Sequence, residues 1–155
     1  MHNHFMARAI ELAVTNARLA RGGPFGAVIV KNGAIIAEAA NSVTSNNDPT
    51  AHAEMLAIRN ACQKLEQFEL RGCELYASSE PCPMCLGAIY WARLERTYFG
   101  STAAEASKAG FDDSLIYEEI SQLQSERKIP MIQIMGEEAG EAFRVWEHQP
   151  NKVPY

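Results

Sequence analysis

A chain of 155 residues with 47% hydrophobic and 21% charged side chains has the size and balance of one globular domain, which excludes the disordered and fibrous classes. A net charge of −5 and 14 scattered Lys and Arg leave no basic run to follow a phosphate backbone, so nucleic acid is not an expected partner. No apolar run reaches the roughly 20 residues that span a bilayer, and MHNHFMARAIELA lacks the basic start and cleavage site of a secretion signal; the expectation is a cytoplasmic protein with no membrane partner and reduced thiols.

Along the chain, Phe5, Met6, Ala9, Ile10, Ala13 and Val14 recur at helical spacing up to about Ala20, where Gly22-Gly23-Pro24 stops the pattern. Ala27 to Val30 and Ala34 to Ala39 flank Lys31-Asn32-Gly33, and Asn-Gly between such runs predicts a hairpin. A polar loop over Asn41 to Pro49 leads into a second helix with Met55, Ile58, Ala61, Cys62 and Leu65 on one stripe, ending near Phe68. A strand over Cys73 to Ser78, a helix over Pro83 to Ala92 and a strand over Arg96 to Gly100 follow. A helix near Ser114 to Leu123, a strand over Met131 to Met135 and a helix around Glu137 to Trp146 complete the order αββαβαβαβα. A hairpin followed by β-α-β units implies a mixed sheet with helices on both faces, in a single domain over residues 1–155.

Two short stretches carry the chemistry. In Thr50-Ala51-His52-Ala53-Glu54, residues two apart on a regular helix point to opposite sides, so His52 and Glu54 can share a site only if His52 sits in the opening turn. The preceding Asp48-Pro49-Thr50 suits such a turn. In Glu80-Pro81-Cys82-Pro83-Met84-Cys85, Cys82 falls at an N-cap and Pro83 at the first helical position, with Cys85 one turn on. Both sulfurs then face the positive end of a helix, where thiolates and metals are favoured.

One imidazole and two thiolates are three ligands, one fewer than a structural zinc site uses. An open fourth position leaves room for a catalytic water whose pKa falls toward about 7 on zinc, with Glu54 as the proton carrier. H-x-E followed by P-C-x-x-C is the signature of zinc deaminases acting on nucleobases. A redox dithiol at Cys82 and Cys85 would ignore the His-x-Glu partner. A structural zinc site would need a fourth ligand from Cys62, Cys73, His2, His4 or His148. The two cysteines read as core residues, and the histidines as surface groups.

The residues resemble the cytidine deaminase superfamily, and most closely its bacterial guanine deaminase branch. The resemblance is carried by Gly22 to Val30, Asn46 to Glu54, Cys82 to Arg93, the run Gly110-Phe111-Asp112-Asp113-Ser114 and the final Tyr155. It implies a three-layer α/β/α fold with a five-stranded mixed sheet, and one zinc per subunit held by His52, Cys82 and Cys85. It further implies Glu54 as proton shuttle and Asp113 as a second carboxylate. Asn41, Phe25, Trp91 and Tyr155 would contact the substrate.

The implied activity is hydrolytic deamination of the free base guanine, giving xanthine and ammonia. The implied assembly is a homodimer whose C-terminal tail, about residues 137–155, swaps onto the partner. Alternatives on the same motifs are a tRNA adenosine deaminase, a deaminase of cytosine or cytidine, and a zinc-dependent binding module without turnover. Ser79, where the branch can carry cysteine, and the stretch Met135 to Arg144 depart from the pattern.

Overall fold

The structure, a computed structural model, describes residues 2–155. The chain divides into two compact units, Met1–Ser114 and Leu115–Tyr155.

The first unit contains helix α1 (His2–Arg18), strands β1 (Gly26–Lys31) and β2 (Ala34–Ala40), the short helix α2 (Val43–Asn46) and helix α3 (Ala53–Leu65). Strand β3 (Cys73–Ser79), helix α4 (Pro83–Trp91), strand β4 (Arg96–Ser101) and helix α5 (Ala103–Lys108) follow. The strands form one mixed sheet in the order β2-β1-β3-β4. β1 runs antiparallel to β2 and β3, and β3 runs parallel to β4 across the α4 crossover.

The predicted hairpin turns at Asn32 and Gly33, with φ of 51° and 76°, the left-handed pair that a two-residue turn of matching twist demands. Alternation along β1 divides the core. Val28 and Val30, with Tyr76 of β3, pack under Phe5 and Ala9 of α1. Ala27 and Ile29, with Leu75, pack against Ala53, Ala57, Ile58 and Ala61 of α3 and Ile89 of α4. Successive side chains of a strand face opposite ways, so one central strand serves both layers, and the result is the expected α/β/α sandwich. Cys73 is fully buried in this core and Cys62 partly so.

The second unit holds most of α6 (Ser114–Ser121), a 3-10 turn at Gln124–Glu126 and α7 (Gly136–His148). Arg127 ties it together, donating from Nε to the Glu119 carbonyl at 3.0 Å. None of its described side chains is buried.

One expectation is corrected. The sheet has four strands among the described residues, not five, because Met131–Met135 is irregular. Apolar β-type residues make a strand only where a ladder partner accepts their backbone groups, and this segment pairs with no strand. Pro130 lacks a donor before it, and Met135 turns left-handed at φ 52° at its end. His2 is exposed, as expected of a surface group, and it begins α1 with Nδ1 2.7 Å from the Tyr76 hydroxyl. No helix of the described residues is long and apolar enough to cross a membrane.

Candidate active site

The start of α3 is built by a local turn. Asp48 Oδ1 accepts from the Thr50 backbone N–H at 2.8 Å and the Thr50 hydroxyl at 2.7 Å, an Asx turn that reverses the chain ahead of the helix. The Ser42 N–H then donates to the Ala51 carbonyl at 2.9 Å, pinning the turn to the end of β2. His52 is the N-cap, with extended φ −68° and ψ 153°, and Glu54 lies in the first turn. That break in helical geometry lets both side chains face one site, as their spacing required.

The start of α4 follows the same logic. Cys82 is the N-cap at φ −66° and ψ 169°, and Pro83 occupies the first turn, where its missing N–H costs nothing. Cys85 lies one turn further and is fully buried. The two helix starts meet: Cys82 Sγ and Cys85 Sγ each lie 3.5 Å from His52 Nδ1, and the three ligand atoms fall within 4.8 Å of one another. Tetrahedral zinc, with Zn–S about 2.3 Å and Zn–N about 2.0 Å, would separate nitrogen and sulfur by about 3.5 Å. Two thiols and an imidazole are also the donor set that borderline-soft zinc prefers over oxygen-seeking cations. The residues fit the metal.

The electrostatics agree. Cys82 is lowered to about 4 by the hydrogen bond from Cys85 and then by that from His52, whereas Cys85 is raised, first by the hydrogen bond it gives Cys82 and then by burial. The directions make Cys82 the more acidic thiol of the pair. His52 is raised by its hydrogen bond to Cys82. Glu54 is buried, and desolvation raises its carboxyl above the ordinary range.

The other expected site residues divide. Asp113 is half-buried and raised, by desolvation first and then by the negative charges of Cys82, Asp112 and Glu80. Asp112 Oδ1 accepts from the Ser114 N–H at 3.0 Å, at the start of α6. Asn41 is buried, and its Oδ1 accepts from the Gly23 and Val43 N–H groups, each at 3.2 Å. Its Nδ2 is thereby left as a donor. Phe25 packs on the core and meets Phe111 edge to face, ring centres 4.9 Å apart.

Trp91 stands at the C-terminal end of the helix that Cys82 caps. It closes α4 nine residues from Cys82, about 13 Å along a helix, and is 67% exposed. Tyr155 ends the second unit, 73% exposed.

Sequence reading missed Asn16, a buried amide of α1 that bonds the backbone of Gly23 and Asn41, and the ring contact of Phe111. Asn16 had one signal: it is a polar residue on the helical stripe of Phe5, Ala9 and Ala13.

Comparison with known proteins agrees with this arrangement. Residues 1–101 match the family model for the cytidine and deoxycytidylate deaminase zinc-binding region. The chain is 52% identical to a guanine deaminase of Bacillus subtilis over 154 residues, 99% of each chain. An X-ray structure of guanine deaminase from Bacillus subtilis superposes with a TM-score of 0.97 at 52% identity, covering 100% of this chain and 99% of that one. A tRNA-specific adenosine deaminase of Aquifex aeolicus is 54% identical over 78 residues, 50% of this chain and 52% of its own. The chain belongs to the cytidine and deoxycytidylate deaminase family and carries its zinc-binding region.

Proposed function

We propose that this chain hydrolyses guanine to xanthine and ammonia. The observation that carries the reading is a zinc-competent His52, Cys82 and Cys85 cluster beside a buried Glu54, on a chain that matches a guanine deaminase from end to end.

Zinc held by these three residues supplies Lewis acidity, which makes a water nucleophilic near neutral pH. Water adds to C2 of the base, the bond from C2 to the exocyclic nitrogen breaks, and ammonia leaves. Glu54 takes a proton from the attacking water, gives it to a ring nitrogen and then serves the departing amine. A carboxyl raised by burial holds a proton more readily than a solvated one, which suits a group that must take one from water and pass it on. Asp113, as a second carboxylate, holds the substrate and assists the proton traffic. Asn41 Nδ2 donates to the base, and Phe25 lines the pocket.

Trp91 packs on the purine face or lines the pocket, and Tyr155 enters through assembly. The chain forms a homodimer in which the tail, about residues 137–155, crosses to the partner, where Tyr155 closes the pocket. In support, Tyr90 and Trp91 of α4 are 77% and 67% exposed, and Phe143 and Trp146 of α7 are exposed as well. A single chain thus leaves apolar surface on both units to be covered. The reduced cysteines suit a cytoplasmic setting.

The rival is deamination of adenosine in tRNA, favoured by the likeness over half the chain and opposed by the acidic balance. Zinc-loaded protein is incubated with guanine, adenine, cytosine, guanosine, cytidine and tRNA while ammonia is followed, with and without a chelator. Release from guanine alone, abolished by the chelator, is expected. Release from tRNA and none from guanine would replace the reading.

A further inference from the structure

Asn16 lies in the last turn of α1, on the face that meets the sheet, and is buried. An amide in an apolar stripe costs free energy unless its polar atoms are bonded, so its partners indicate its purpose. Nδ2 donates to two backbone carbonyls, Gly23 O at 2.8 Å and Asn41 O at 2.9 Å. These belong to the segments entering β1 and leaving β2, which flank the Asn41 side chain.

The bonds close on themselves. Gly23 N–H donates to Asn41 Oδ1 at 3.2 Å, and Asn41 N–H donates to the Phe25 carbonyl at 3.0 Å. One amide of α1 therefore holds both the backbone that carries Asn41 and the backbone donor that selects its amide orientation. The space is tight: a Cβ at Gly22 would fall 2.3 Å from Asn41 O and 3.1 Å from Asn16 Nδ2.

We propose that Asn16 is a positioning residue for the substrate base, acting through Asn41. The proposal rests on the reading that Asn41 Nδ2 donates to that base. With Oδ1 occupied twice, the amide presents a donor and not an acceptor to the site. Removing Asn16 leaves two carbonyls without their donor, frees the segments to separate and lets the Asn41 amide rotate, so the base is held less selectively. His52, Glu54, Cys82 and Cys85 stand at the starts of α3 and α4 and make none of the bonds of Asn16, so binding is affected more than chemistry.

The test uses full-length, zinc-loaded protein carrying Asn16→Leu, which fills the space and donates nothing, or Asn16→Ser, which can serve one carbonyl only. For Asn16→Leu, KM for guanine and Kd for 8-azaguanine by calorimetry are expected to rise about tenfold. Zinc per chain should hold, and kcat should stay within about twofold. Asn16→Ser should fall between, and carries the same test if Asn16→Leu does not fold. In an Asn41→Ala background, adding Asn16→Leu or Asn16→Ser should change KM less than about twofold, because coupled residues are not additive.

Losses that multiply in the double variants, or an unchanged KM in the single ones, overturn the proposal while leaving the role of Asn41 intact. An Asn41→Ala protein with normal KM overturns the base-holding reading, and this proposal with it.

Discussion

Glu54 sits where two effects compete. It lies in the first turn of α3, and a helix N-terminus favours a carboxylate by about 0.3–1 kcal/mol. Burial opposes ionisation and wins, since the carboxyl is raised. Nothing in the packing of α3 needs a charge there, because Ala53, Ala57 and Ala61 already fill that face. A Glu54→Gln protein should therefore fold and retain zinc, while ammonia release from guanine falls by about 10²–10⁴-fold, the usual contribution of a general acid–base. Metal analysis beside the rate assay checks this, and zinc lost together with activity would mean that Glu54 serves the ligands and not the proton. His52, Glu54, Cys82 and Cys85 were legible in the sequence because each pair is local, its geometry set by a helix start that Asp48, Thr50 and Pro83 announce. Asn16 was not, because its partner Asn41 lies 25 residues away and becomes a neighbour only when α1 docks on the sheet.

That docking depends on how closely an element can approach. Gly26 opens β1, and a Cβ there would lie 2.3 Å from the Ala9 carbonyl oxygen and 2.8 Å from the Ala13 nitrogen. Both are backbone atoms of α1, so no side chain can turn aside and the whole helix must move. Ala9 and Ala13, buried on the same face, keep α1 near enough for Asn16 to reach Gly23 and Asn41. Gly26→Ala is expected to cost about 1–3 kcal/mol, the usual range for overpacking a close contact, read from the urea midpoint at constant slope. It should also raise KM in the manner of the Asn16 variants, since the same approach is lost. A stability unchanged within error would show that α1 tolerates displacement. The helices and the hairpin were readable because 3.6-residue periodicity and the Asn32–Gly33 turn are properties of short windows. Met131–Met135 has the composition of a strand without being one, because a strand is made by its neighbour and the window cannot contain that neighbour.

Across the molecule, the two units differ in how their apolar side chains are satisfied. The first has cores on both faces of its sheet. The second buries none of its described side chains and exposes Ile132 at 80%, with Phe143, Trp146 and Tyr155 also exposed. Surface of that kind on a small segment is costly in water. If the tail completes the partner's site in a homodimer, each active site draws Glu54 from one chain and Tyr155 from the other. Deleting residues 151–155 should then lower activity by at least about tenfold while zinc stays bound, and Glu54→Gln should lose activity with its tail intact. Unfolded together and refolded as a mixture, the two inactive proteins form heterodimers in which an intact Glu54 faces an intact tail. Activity should return, toward about one quarter of the wild-type rate for random pairing with one repaired site in half of the dimers. Mixtures that stay as inactive as their components would place Tyr155 in the service of its own chain, and truncation without loss would remove the tail from catalysis altogether.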